Sequence, residues 1–311
     1  MRDTEQYLRH GMKIVQLSGG VGGARLARGF AAIRDVQLTV IVNVGDDAEN
    51  HGLAISPDLD TVIYTLAGQE GPHGWGRRDD TFHFNTELGR FGLDNTFKLG
   101  DRDLALKVYR TLELAKGVPL SKTTHSIVHS FEIDAEVIPV TDDRLRTKVK
   151  TDAGWLAFQE YFVDRRYRDD VLDLRFDGAE TAMPAPGVIE SIEEADLVVI
   201  GPSNPPLSIW PILAVPGVRE AVETHRSVIA VSPLIGGKTV KGPADRVLEG
   251  LGLPKGNLGV AMSYDGLIRR LVIDQADAEE ASTIPVEVLV TETLITESDA
   301  SRRLATELLS S

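Results

Sequence analysis

Carboxylates are the densest chemical signal in the chain. Asp46 and Asp47 end an apolar run, Leu38 to Val44 (LTVIVNV), and Ser56-Pro57-Asp58-Leu59-Asp60-Thr61 follows just beyond. Upstream, Ser18-Gly19-Gly20-Val21-Gly22-Gly23-Ala24-Arg25 separates another apolar run, MKIVQL from Met12, from the helical pattern ARLARGFAAI. Glycines between a strand and a helix let backbone N–H groups reach an anion at the positive helix end. Hard oxygens beside such a cradle fit Mg²⁺, which takes one or two carboxylates and completes its shell with substrate phosphate and water. Each feature also has a purely structural explanation: a tight turn packed on glycine, a turn at Asp46-Asp47, and an N-cap at Asp60 for a helix over Thr61 to Leu66.

Further loops extend the pattern. Gly201-Pro202-Ser203-Asn204-Pro205 follows ADLVVI, and Ser232-Pro233-Leu234-Ile235-Gly236-Gly237 follows SVIAV. Rigid loops with Ser203 and Asn204 as donors and acceptors suit nucleotide or phosphate contact. Lys238 and Lys241 stand near an incomplete P-loop ending, Gly237-Lys238-Thr239, in which Ser232 occupies the place of the first glycine. The dinucleotide fingerprint begun by Gly20 and Gly22 fails at Arg25, which disfavours a nicotinamide enzyme. His125 and His129 have a zinc-pair spacing, but no Glu follows His125, and no G-x-S-x-G elbow occurs. Asp101 and Asp103 read as caps of a helix over Leu104 to Lys116.

These groups need elements to hold them. Short apolar runs alternating with helical stretches, in both halves of the chain, predict an α/β fold with a Rossmann-like open, mostly parallel sheet. LGVAM (258–262), RLVI and VEVLV read as later strands. Residues 61–130 read as a mainly helical insertion, and 131–177, with AEVIPVTDD, TKVKTD and GWLAFQEYFV, as a small β section. No linker separates the halves, so residues 12–311 are expected to form one domain behind an N-terminal extension, 1–11.

Composition narrows the partners. The chain has 311 residues, with 33 Lys+Arg against 47 Asp+Glu, a formal charge of −14. That balance argues against nucleic acid. No run approaches the roughly 18 apolar residues of a membrane span. The first eleven residues lack the apolar core of a secretory signal, so a cytoplasmic location is expected. With no cysteine, any catalysis rests on oxygen and nitrogen groups.

Seven motifs, in order, resemble the 2-phospho-L-lactate transferases and their bacterial phosphoenolpyruvate transferase relatives, which build coenzyme F-420. They are the loop from Ser18 to Gly23, Asn43-Val44-Gly45-Asp46-Asp47, Ser56 to Thr61, Leu99-Gly100-Asp101-Arg102-Asp103, Pro139-Val140-Thr141-Asp142-Asp143, Gly201 to Pro205, and Val231 to Gly236. The resemblance implies transfer of a phosphoenolpyruvyl or 2-phospho-L-lactyl group from a guanosine diphosphate-linked donor to the ribityl hydroxyl of the deazaflavin FO, releasing GMP, in a homodimer. It assigns Asp60 and Lys98 to the deazaflavin and Asp46, Asp47 and Asp60 to Mg²⁺. On this reading Asp60 orients or deprotonates the hydroxyl, and Asp60→Asn folds normally. Gly20, Gly22, Ser203, Asn204 and Lys238 are expected to hold the guanosine and its phosphates. Gly45-Asp46-Asp47 and Gly74-Trp75-Gly76-Arg77-Arg78-Asp79 favour the phosphoenolpyruvate branch. Trp75 to Lys98 and Trp155 to Phe162 supply aromatics suited to a flat ring. A related family of nucleotide-sugar-binding regulators, linked to gluconeogenesis, shares the glycine loop and is the alternative.

Overall fold

The computed structural model describes residues 11–310; the proposed extension, apart from Gly11, lies outside the described residues. Seven parallel strands form the main sheet: β1 (Met12–Ser18), β2 (Val36–Val42), β3 (Glu136–Pro139), β4 (Leu197–Ile200), β5 (Val228–Val231), β6 (Arg270–Asp274) and β7 (Glu287–Thr291). Their spatial order is β7-β6-β5-β4-β1-β2-β3. β4 and β5 are buried at every residue because helices cover both faces, which is why the sequence shows continuous apolar runs there.

Strand order reverses between β1 and β4, and open α/β sheets bind ligands outside the strand ends at such a point. Three strand ends are held in step there: the Asn43 N–H donates to the Ser18 carbonyl at 3.0 Å, and the Gly201 N–H to that of Leu17 at 3.0 Å. The loops leaving β1, β2 and β4 therefore emerge together.

Helix α1 (Gly20–Ala31) follows β1, and α2 (Pro57–Leu66) follows a short hairpin after β2. α2 starts earlier than the expected Thr61, because Pro57 is preorganised for a first helical position and Ser56 precedes it. Asp60 is thus inside the helix, not its cap. Beyond it come α3 (His83–Arg90), α4 (Asp101–Ala115) and α5 (Leu120–Ser130). The caps of α3 and α4 are exchanged. Asp101, in the first turn of α4, accepts from the His83 and Phe84 N–H groups, while Asp80, just before α3, accepts from those of Arg102 and Asp103.

Two strand expectations need correction. AEVIP does not join the small β section; it pairs in parallel with β2 as the main sheet's edge. The small section is a three-stranded antiparallel sheet of Arg146–Thr151, Gly154–Ala157 and Asp173–Asp177. LGVAM lies in a helix, Gly256–Ser263. A short apolar run does not distinguish a buried strand from a buried helix, and neither Gly256 before the run nor Gly259 within it decides the matter.

Two of the loop glycines are explained by packing. A Cβ on Gly22 would sit 2.2 Å from the Pro202 carbonyl oxygen, and one on Gly23 would meet the Ser18 and Ser203 hydroxyls. Gly22→Ala is therefore expected to lower stability by about 1–3 kcal/mol in urea unfolding; an unchanged midpoint would mean that the two loops do not abut.

Candidate active site at the strand ends

A cleft of about 1840 Å³ opens above the crossover point. A single small ligand occupies a pocket of roughly 300–1,000 Å³, so this one has room for two substrates side by side. Its floor is the stitched pair of loops: the Gly19 N–H donates to the Ser203 hydroxyl at 3.1 Å, and that hydroxyl donates to the Gly19 carbonyl at 2.7 Å. Ser203 and Gly22 line the cleft but already have structural duties. Asn204 also lines it, with its side-chain amide oxygen accepting from the Leu207 N–H at 3.1 Å. Gly20 differs from Gly22: its φ of +65° requires glycine, and the space beside it is open except for Asp58.

One wall is carboxylate. The Asn43 amide nitrogen donates to Asp58 at 2.9 Å and to Asp46 at 3.3 Å, and both acids are buried and line the cleft. The Asp58 carboxylate also accepts from the Gly20 N–H, so it occupies the positive end of α1 that the sequence reading offered to a phosphate. Burial pushes Asp58 up to about 6. Burial, then the charges of Asp58 and Asp47, push Asp46 well above the usual carboxylate range. Asp47 is pushed up to about 7 by burial, against Arg146 and Arg110, and accepts from the Ser56 hydroxyl at 2.9 Å. It does not line the cleft; its second oxygen is buried without a hydrogen-bond partner.

Asp60 is held quite differently. Lys107 lies 2.6 Å from its Oδ2, and Arg110 reaches both oxygens, contacting Oδ2 at 3.2 Å. Lys107 also pairs with Asp103, which accepts from the Tyr64 hydroxyl at 2.6 Å. Burial alone would raise Asp60, but Arg110 and Lys107 outweigh it and hold the carboxyl below its ordinary range. A carboxylate so compensated is a weak base. Asp60 thus has partners that Asp46 lacks, although its charge and that of Arg110 both reach Asp47, and among the described residues no three of His, Asp and Glu converge on a cation position. A site using one or two carboxylates plus substrate oxygens does not need three. Asp46 and Asp58 are the pair whose like charge and burial best fit a divalent cation.

The sequence reading missed several participants. Lys107 and Arg110 belong to α4, whose buried stripe is Asp103, Leu106, Lys107 and Arg110, whereas Val108, Tyr109 and Leu112 are exposed. That inversion of the usual amphipathic pattern is the signal that would have found them. Lys98 is exposed and lines the cleft, as do Trp75, Phe82, Phe97, Phe158 and Phe162. Phe158 and Phe162 are stacked, 5.4 Å between centroids. Trp155 is elsewhere, under Arg175. Lys238 is exposed and does not line the cleft; it ends a tight turn whose Gly236 and Gly237 N–H groups are taken by Asp277, at 3.0 and 2.7 Å. Lys241 lines the cleft instead. His125 and His129 are exposed on α5.

Residues 14–303 match the family model described as 2-phospho-L-lactate transferase CofD. The chain belongs to the CofD family. Among its relatives, a phosphoenolpyruvate transferase of Streptomyces coelicolor is 41% identical over 96% of this chain and 97% of its own. A 2-phospho-L-lactate transferase of Methanocaldococcus jannaschii is 38% identical over 95% and 97%. This CofD-family chain is a transferase enzyme of the phosphoenolpyruvate or phospholactate type. A solved structure of a UPF0052-family protein from Bacillus halodurans superposes with a TM-score of 0.64 over 96% of this chain and 99% of that one. At 15% identity it shares the fold, and so lends no weight to a regulatory reading. Among the described residues no helix is long and apolar enough to cross a membrane.

Proposed function

We propose that this CofD-family transferase moves a phosphoenolpyruvyl group, or its phospholactyl counterpart, from a guanosine diphosphate-linked donor to the ribityl hydroxyl of FO in coenzyme F-420 biosynthesis. The observation that carries this reading is the two-substrate cleft at the crossover point, with carboxylates on one wall and aromatics above it. In the reaction the ribityl oxygen bonds to the distal phosphorus, the bond from that phosphorus to the bridging oxygen breaks, GMP leaves with that oxygen, and the hydroxyl proton passes to solvent.

Phosphoryl transfer has a loose transition state, so the protein's contribution is position and charge rather than a covalent intermediate. Asp60, ionised and immobilised by Lys107 and Arg110, accepts a hydrogen bond from the hydroxyl and holds it in line. It orients more than it deprotonates. Lys98 with Phe82 and Phe97 forms the wall against which the deazaflavin lies. Asp46 and Asp58 are the residues to hold Mg²⁺, whose charge, when bound, offsets that of the diphosphate oxygens; Asp47 supports them from behind. The protein acts in the cytoplasm as a homodimer on these small-molecule substrates.

The test is direct. Purified protein mixed with FO, Mg²⁺ and either guanylated donor is expected to release GMP and form the phosphodiester, measured by liquid chromatography, with enolpyruvate the faster donor. No GMP from either donor would refute the proposal.

A further inference from the structure

Besides the carboxylates, the cleft is lined by cations. Arg25, on α1 one turn beyond the glycine loop, lines the cleft and, among the described residues, donates to the Ile295 carbonyl alone, at 2.8 Å. Lys241 comes from the loop after β5 and donates to the His73 carbonyl. Neither is in an ion pair with a carboxylate among the described residues. Glu70, the acid whose charge acts on Arg25, is already engaged by Arg28.

The charge of Arg25 reaches Lys241. Burial, then the charge of Arg28, lowers Arg25; burial, then the charge of Arg25, lowers Lys241. The loop that carries His73 brings Lys241 into place: Gly74 packs so near that a Cβ there would lie 2.5 Å from a Val21 methyl and 3.4 Å from the Lys241 ammonium. Lys241 therefore stands over the first turn of α1, with Arg25 one turn further on. Like charges are held together at a cost unless an anion lies between them. Asp58 already takes the Gly20 N–H, so an anion is steered to the Val21 to Arg25 side of the helix start, toward both cations.

We propose that Arg25 and Lys241 form a clamp for the diphosphate of the donor, the part of that substrate with more than one negative charge. This rests on the transferase reading above and adds to it the two side chains that hold the donor. The clamp then holds the diphosphate by its own charge, while the Asp46–Asp58 pair, which also borders the start of α1, would meet it only through a cation.

Calorimetric titration with GDP and with inorganic diphosphate, with and without Mg²⁺, tests the clamp on the full chain. Arg25→Gln and Lys241→Gln are each expected to weaken both ligands at least tenfold, and to raise the donor KM while leaving the FO KM within twofold. Lys122→Gln, an exposed lysine on α5 outside the cleft, controls for net charge and is expected to bind as the parent does. Circular dichroism and thermal melting of each variant establish folding. GDP and diphosphate affinities within twofold of the parent's in the folded double variant would overturn the clamp, as would a parent protein that binds neither ligand. Loss of diphosphate binding in the variants, in a parent that releases no GMP from any guanylated donor, would support the clamp and overturn the transferase reading.

Discussion

Asp60→Asn is expected to cost about 3–5 kcal/mol of stability as well as most of the turnover, because it removes the counter-charge shared by two buried cations and strands one of them. Arg110 is fully buried, and Lys107 nearly so. Removing the charge they share leaves Lys107 with Asp103 and Arg110 with only the more distant Asp47. The sequence reading expected this variant to fold normally; the ion cluster reverses that. Its pH dependence has a definite sign. Asp60 is held below its unfolded value, so it contributes stability fully above about pH 4 and loses it as pH falls through its lower folded value. Urea unfolding at pH 7 measures the cost, and the parent's acid limb should flatten in Asp60→Asn. Full stability in Asp60→Asn would contradict the cluster. Pairing it with Arg110→Met separates the two effects, since the cation left without a close partner is removed and Lys107 keeps Asp103, while the hydroxyl still lacks its charged acceptor. Stability should partly return and turnover should not.

Asp58→Asn and Asp46→Asn are expected to reverse the effect on stability, stabilising the metal-free protein at neutral pH while also reducing activity by orders of magnitude. Asp58 is raised to about 6, so the folded protein keeps a proton that the unfolded chain releases. Stability of the metal-free parent therefore falls as pH rises from about 4 to 7, by on the order of 3 kcal/mol for this group alone. Asparagine removes that penalty and still offers an oxygen to Asn43. Added Mg²⁺ should raise the parent's Tm more at pH 7.5 than at pH 5, where protonation competes with it, and should do little to either variant. A parent Tm indifferent to Mg²⁺ at pH 7.5, or a variant with parental turnover, would remove these two acids from the site.

These opposite expectations fall on acids two residues apart in sequence, which shows where reading the chain ran short. Apolar runs ending in glycine and acid loops disclosed the α/β sheet, because parallel strands buried on both faces have no alternation to hide. The loops after β1, β2 and β4 were placed correctly for the same reason: a site in such a sheet follows from strand order. Spacing did not reveal which acids would be charged. Asp58 and Asp60 look alike in sequence, yet one meets an amide and the end of α1, and the other meets Lys107 and Arg110 from a helix some fifty residues away. Such long-range pairing leaves no local trace. The turn after Ser232 has the same kind of long-range partner: Asp277 claims it, Lys238 stands outside the cleft lining, and the chain then presents Lys241 to the cleft.

The exchanged caps of α3 and α4 join two helices that the chain otherwise separates by ten residues, 91–100. Each helix's first turn depends on a carboxylate beside or within the other, so neither can fray alone. Residues 80–101 should then behave as one cooperative unit, whose amides, in hydrogen exchange, open with a single free energy rather than a graded series. Phe82, Phe97 and Lys98 all lie in that unit, so this wall of the cleft is held or released all at once.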